Sequence, residues 1–203
     1  MTYRGKRALD IVLGGTALLL SAPLLAVSAI LIRLESHGHP IYRQRRVGLD
    51  GEPFELYKLR TMVTDAERMG TGLIVEAGDA RITRIGAWLR RYSVDELPNL
   101  INVLAGEMSL VGPRPTVQVQ VDQYSDRQRG RLAVRPGITG WAQVNGRASL
   151  PWHERIELDL WYAEHASLAL DLRIMWLSLR MVFGGHGLYR GETGGWRQPP
   201  RDS

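Results

Sequence analysis

Between Ile11 and Ile32 the chain reads IVLGGTALLLSAPLLAVSAILI, with no charged residue anywhere in the run. A membrane helix needs roughly 20 consecutive apolar residues, so this stretch decides the architecture. A cleaved signal peptide is the alternative, but the stretch is too long and no clear cleavage site follows it. Pro23 sits in its middle. Proline cannot donate to the carbonyl of Leu19, and its ring crowds that carbonyl. An unpaired carbonyl is costly in hydrocarbon; Ser21 is close enough to supply a donor. A bend is expected there, with Ser21 and Pro23 as the helix break. The flanks carry Arg4, Lys6 and Arg7 on one side and Arg33, Arg43, Arg45 and Arg46 on the other. Positive residues favour the cytoplasmic side, so a straight crossing strands one cluster, whereas a re-entrant hairpin returns both. An ordinary kinked span also tolerates proline, and the residues leave both topologies open.

Outside this run, 203 residues suffice for one domain with a real core. The net charge of +5 points to an acidic partner: nucleic acid, anionic lipid or a phosphorylated substrate. With no cysteine, disulfides and thiolate metal sites are excluded, which suits the cytosol.

Asp50-Gly51 in IYRQRRVGLDGEPFELYKLRTM predicts a β-hairpin, with Phe54, Leu56 and Lys58 on one face and Glu55, Tyr57 and Leu59 on the other. Residues 64–70 read as helical and 71–83 as a polar loop. RIGAWLRRY (84–92) reads as a basic helix with Ile85, Trp88 and Leu89 on one side. PNLINVLAG reads as a short helix closed by Gly106. Residues 107–115 read as extended or looped, 116–132 as an amphipathic helix, and 134–147 as a glycine-rich loop. Two helices follow; Leu172, Met175, Trp176, Leu179, Val182 and Phe183 form a stripe read as core, with a membrane-surface face as the alternative. The divisions are a membrane helix over 1–36, a catalytic domain over 37–185 and a mobile tail over 186–203.

The chemistry-bearing stretch is SVDELP (93–98), followed by GPRP (112–115). Adjacent acids share one site only near a turn or a helix end. Ser93 and Glu96 have capping-box spacing, while Pro98 suits the first turn of a helix; the two readings conflict and both leave Asp95 near a helix N-terminus. The dipole there favours a carboxylate that binds metal or attacks phosphorus. An Asp-Glu pair by itself is more often a cap and a solvated acid. Arg114, stiffened by two prolines, offers a planar fork to phosphate, and Lys58, Arg60, Arg90 and Arg91 add cations. Clustered cations with two acids suit phosphoryl transfer with a divalent ion. The five histidines show no metal spacing and read as structural or exposed.

In order, KRALD (6–10), the proline-interrupted apolar run, LYKLRTM (56–62), RRYSVDELPNLINVLAGEMSLVGPRP (90–115), PGITGWAQVNGR (136–147) and ERIELDLWYAEHASLALDLRIM (154–175) resemble the monotopic phosphoglycosyl transferases, a bacterial sugar transferase family. The resemblance runs from about residue 4 to about 185. It implies a mostly helical α+β fold: a re-entrant membrane helix, then a small cytosolic domain with a β-hairpin and amphipathic interface helices. It implies a Mg2+-dependent transferase that moves a phosphosugar from a UDP-sugar to undecaprenyl (polyprenyl) phosphate and releases UMP. The setting is the cytoplasmic face of the bacterial inner membrane, at the first membrane step of glycan assembly. By the same resemblance Asp95 is the nucleophile, Glu96 the Mg2+ ligand and Arg114 a phosphate-binding arginine, with Lys58 and Arg60 near the site. Ala22 stands between Ser21 and Pro23 where many relatives have serine directly before the proline, and Asn99 stands where glutamine is common. The chain looks like a minimal catalytic form. The partners implied are donor, acceptor and membrane lipid, without nucleic acid; a homo-oligomer stays open. Two rivals remain: a membrane phosphohydrolase with water as acceptor, and a basic nucleic-acid module, against which the anchor argues.

Overall fold

A computed structural model describes residues 3–66, 69, 79–146 and 150–184. Its first element, α1 (Lys6–Glu35), is a single α-helix that runs unbroken through Pro23. No helical residue is lost at Ser21 and Pro23, so the expected break is at most a bend within a continuous helix. Ser21 Oγ donates to the Leu18 carbonyl at 3.2 Å, so it does not reach the Leu19 carbonyl that proline leaves unserved. The helix is long and apolar enough to cross a membrane. Its middle shows Leu19, Leu20, Leu24 and Val27 on the surface.

Both ends of α1 are fastened to the rest of the chain. At the start, Lys6 is buried, and its ammonium donates to Asp171 at 2.5 Å and to the Val111 carbonyl at 2.9 Å. Tyr3 donates to the same aspartate at 2.8 Å, and the Tyr162 hydroxyl lies 2.7 Å from its other oxygen. Burial comes first in pushing the Tyr162 phenol far above its ordinary value, and the Asp171 charge adds to it. Arg7 donates to the Val103 and Leu104 carbonyls, capping a later helix. Asp10 is buried and accepts from Ser109 Oγ and the Leu110 amide, each at 2.9 Å. Lys6 and Arg7, read above as flanking membrane charges, are structural ties. At the far end, Ile32 is buried with Leu59, Leu89 and Val94. Its burial contributes about 1.5–3 kcal/mol. Glu35 accepts from the Arg84 and Ile85 amides at 2.8 and 2.9 Å, so the end of α1 caps the start of the next helix.

The hairpin pairs β1 (Ile41–Val47) with β2 (Pro53–Leu59), antiparallel, from Ile41 opposite Leu59 to Val47 opposite Pro53. The Asp50-Gly51 turn forms as expected, with φ of 53° and 87°. It sits inside a longer connection that holds the 3-10 turn Leu49–Gly51. Phe54 and Leu56 bury against Val103 and Met108, while Leu59, on the other face, packs against the end of α1. Lys58 shares the first face and projects beyond the core.

Next come α2 (Arg84–Arg91) and α3 (Asn99–Ala105). Thr83 caps α2 by accepting from the Gly86 amide, and α3 ends at Gly106 with φ 88°, as expected. Leu89 is buried, but Trp88 is exposed and meets Tyr92 ring to ring at 5.4 Å, so the expected apolar side is split. Residues 64–66 form a turn, with Asp65 at φ 60°, so the helix read over 64–70 is not found in its described part.

Two segments depart from expectation for identifiable reasons. The helix read over 116–132 is divided into α4 (Gln118–Val121), α5 (Asp126–Arg129) and the 3-10 turn Gly130–Ala133. Ser125 and Gln128 form a reciprocal capping box that starts a new helix inside the pattern. The loop read over 134–147 holds β4 (Gly137–Thr139), parallel to β3 (Ser109–Val111), and then α6 (Trp141–Val144). Its glycines mark close backbone approach: a Cβ at Gly112 would lie 2.2 Å from the Arg135 carbonyl oxygen, and one at Gly140 would lie 2.1 Å from that of Gly112.

Two helices, α7 (Trp152–His165) and α8 (Leu168–Gly184), close the described chain. Ile156 and Leu160 bury against Val47, Val121 and Tyr124; Tyr162 and Ile174 bury against Val111 and Val134. The stripe read as core on α8 is corrected in part: Met175 packs against the core, but Leu172, Trp176 and Leu179 are exposed, while Asp171 and Ile174 face inward. Arg180 lies over the Trp176 ring at 4.8 Å. The tail from 186 to 203 lies outside the described residues.

Candidate active site

After α2 the chain reverses at Ser93, whose φ of 56° is left-handed, and enters the 3-10 turn Val94–Glu96. Such a backbone costs on the order of 1–3 kcal/mol in a non-glycine residue and is retained where the surroundings enforce it. Here Val94 and Leu97 pack against Leu25 and Ile32 of α1 and Leu59 of β2. Ser93 makes no side-chain cap, and Pro98 precedes α3 as its cap residue, so the capping-box reading fails and the proline reading holds to within a residue.

This anchoring leaves Asp95 and Glu96 at the edge of the core, both part-buried. Glu96 Oε1 receives Lys58 Nζ at 2.7 Å and Arg114 Nη2 at 2.8 Å. Lys58 comes from β2 and Arg114 from the 112–115 loop, so three separate segments meet at one carboxylate oxygen. Among the described residues both partners use the same oxygen, which leaves Oε2 for a ligand. No hydrogen bond holds the Asp95 carboxylate among the described residues. Burial, then the neighbouring Glu96 charge, pushes Asp95 up to about 6, against the pull of Lys58, Arg90 and Arg114. Burial alone would raise Glu96 too, but the Arg114 and Lys58 charges and hydrogen bonds outweigh it and hold Glu96 well below the carboxylate range. Burial also pushes the Lys58 ammonium down, with Glu96 opposing. The pair thus divides into a fixed, charged acid and an unheld, more basic one.

The arginine loop is held from behind. Arg131, buried and ion-paired with Asp159, donates to the Arg114 carbonyl at 3.1 Å, and Arg46 donates to that of Pro115 at 3.1 Å. Both carbonyls lie in the loop, so the guanidinium of Arg114, half exposed, points from a braced backbone. Sequence reasoning missed Arg131 and Asp159 and took Arg46 for a membrane flank. Arg60 does not line the site; its guanidinium donates to the Ser36 carbonyl at 2.7 Å and the His37 carbonyl at 2.9 Å, fixing the chain as it leaves α1.

No group of three or more His, Asp or Glu side chains converges among the described residues, and His37, His39, His153 and His165 are exposed. His186 lies outside the described residues. Mg2+ commonly binds through one or two carboxylates together with substrate phosphates, and Asp95 with the second oxygen of Glu96 fits that donor set. What the arrangement can do is receive a phosphate ester: cations to neutralise it, and an unheld carboxylate to meet it.

The chain belongs to the bacterial sugar transferase family, whose profile matches residues 1–185. It is 39% identical over 183 residues to the uncharacterized sugar transferase EpsL of Bacillus subtilis, covering 90% of this chain and 89% of that one. It is 41% identical to the UDP-N-acetylgalactosamine-undecaprenyl-phosphate N-acetylgalactosaminephosphotransferase of Aeromonas hydrophila, covering 90% of this chain and 44% of the relative. To the UDP-glucose:undecaprenyl-phosphate glucose-1-phosphate transferase of Escherichia coli it is 42% identical, covering 91% and 41% respectively. The chain thus spans less than half the length of these two named transferases.

Proposed function

We propose that this chain transfers a sugar 1-phosphate from a UDP-sugar to undecaprenyl (polyprenyl) phosphate, releasing UMP through an aspartyl-phosphosugar intermediate. The reading rests on one observation: Asp95 is unheld and more basic than usual, beside a Glu96 fixed by Lys58 and Arg114. An Asp95 oxygen attacks the sugar-bearing phosphorus. The bond from that phosphorus to the bridging oxygen breaks, and UMP leaves with the electron pair. A phosphate oxygen of the polyprenyl phosphate then attacks the same phosphorus, breaks the bond to Asp95 and restores the carboxylate. Arg114 and Lys58 offset the charge of the anionic donor, which otherwise repels an anionic nucleophile. Mg2+, held by Glu96 with Asp95 adjoining, would supply further neutralisation of the diphosphate. A covalent intermediate lets a soluble donor and a lipid acceptor use one carboxylate in turn.

Support for a membrane setting comes from the exposed apolar middle of α1 and the exposed face of α8. Lys6 at one end of α1 and Glu35 at the other are bonded to the same chain that carries the site, through Asp171 and α2. A helix crossing a bilayer puts its ends on opposite faces, so these ties favour a re-entrant arrangement with the site on the cytoplasmic face of the inner membrane. The names of the relatives support the acceptor. The test is UMP release from a panel of UDP-sugars with Mg2+, with and without polyprenyl phosphate. Release that requires the acceptor supports transfer; equal net turnover without it indicates a hydrolase.

A further inference from the structure

The site has a wall residue that the mechanism does not use. Arg46, Lys58, Glu96, Asn99, Arg114 and Ile138 line one depression that opens to solvent. Asn99, the first residue of α3, is 3% exposed, and its side-chain oxygen Oδ1 has no hydrogen-bond partner among the described residues. Natural proteins leave few buried polar atoms unpaired, because each keeps the cost of its lost hydration. Among the described residues no protein group holds this amide by its oxygen, and the side chain forms part of the wall beside Lys58 and Glu96.

The chemistry of the wall sorts the ligand. Lys58, Arg46 and Arg114 only donate, and so match phosphate oxygens, which only accept. An amide oxygen only accepts, and needs a partner that brings a proton. In a sugar nucleotide, the proton-bearing groups next to the reacting phosphorus are the hydroxyls of the transferred sugar. Asn99 lines the same depression as Glu96, Lys58 and Arg114, so it borders the space open to the transferred sugar if Asp95 attacks its phosphorus. We infer that Asn99 contacts a sugar hydroxyl of the donor and helps set which UDP-sugar is used, a reading that rests on the proposed transfer reaction.

The test compares wild type with Asn99→Leu, which keeps the approximate shape and removes the amide, and with Asn99→Ala. Three quantities are measured in full-length protein in detergent: kcat/KM for a panel of UDP-sugars, the Kd of UMP, and the melting temperature. Losing one hydrogen bond predicts about a tenfold fall in kcat/KM for the preferred UDP-sugar and a smaller fall for poorer donors. UMP carries no transferred sugar, so its Kd should stay within about twofold. The melting temperature of Asn99→Leu should equal or exceed that of wild type, since a buried unpaired oxygen is gone. A variant that weakens UMP binding and donor use in parallel, or that keeps the wild-type order of preference undiminished, overturns the inference. A wild-type chain that releases no UMP from any donor overturns the transfer reaction, and the inference with it.

Discussion

Asp95→Asn should stabilise this protein above neutral pH while abolishing its activity. Asp95 carries a pKa raised from 3.8 to about 6, first by burial and then by Glu96. A raised value means that the folded state binds the proton more tightly than the unfolded chain does. The stability this gives is fully present below about pH 4, and is lost as pH rises through about 6. Above that, the ionised carboxylate is a standing cost. The full difference corresponds to roughly 3 kcal/mol; solvent reaching the part-exposed carboxylate reduces it to about 1–2 kcal/mol. For a chain of this size each kcal/mol moves the melting temperature about 2–4 °C. Asparagine keeps the shape and cannot ionise, so the variant should melt about 2–8 °C above wild type at pH 8, with the gap closing toward pH 4. Thermal unfolding in detergent, without Mg2+ or nucleotide, measures this. A variant that melts below wild type at pH 8 would refute the placement of Asp95 as an unheld, part-buried acid beside a second acid.

Three further outcomes follow from other contacts. Lys6→Met leaves the buried Asp171 charge without its ammonium, which should cost about 3–5 kcal/mol, read as a large fall in melting temperature; Lys6→Met with Asp171→Leu should recover at least half of it. A melting temperature unchanged in the single variant would return Lys6 to the role of a solvated flanking charge. The acid limb of the kcat/KM profile should fall tenfold per pH unit below about 6, because the free protein must hold Asp95 ionised to attack; a flat profile between pH 5 and 7 would exclude it as nucleophile. Leu172→Glu with Trp176→Glu should shift the protein from vesicles toward the soluble fraction without changing its melting temperature, since both side chains are exposed; unaltered vesicle retention would show that the α8 face does not meet lipid.

The elements that depend on nearby residues were legible in the sequence. The length of α1, the Asp50-Gly51 turn and the Gly106 stop each follow from local chemistry. The site was legible only as far as its residues lie close together: Asp95, Glu96 and Arg114 carry a pattern, and Lys58 was placed by resemblance. Arg131 and Asp159, which brace the arginine loop, are joined across 28 residues of chain, and nothing local marks such a pair. The parallel pairing of β3 with β4 has the same origin, and its glycines resemble loop punctuation until the packed backbones show why a side chain cannot fit. Lys6 and Arg7 were misread because a positive charge before an apolar run has the same sequence signature whether it faces headgroups or an internal aspartate. On α8, helical spacing gave the stripe, but only Met175 turns to the core while Leu172, Trp176 and Leu179 face outward.

The central claim is that a side-chain oxygen of Asp95 becomes bonded to the donor's phosphorus. Rapid mixing with the preferred UDP-sugar and Mg2+ in the absence of polyprenyl phosphate, followed by acid quench and intact-mass analysis, tests it directly. The protein should gain the mass of one sugar phosphate, mapped by peptide analysis to Asp95, discharged on addition of polyprenyl phosphate and absent in Asp95→Asn. Product accumulating with no modified protein at any time point, or the same adduct on the Asp95→Asn chain, would contradict it.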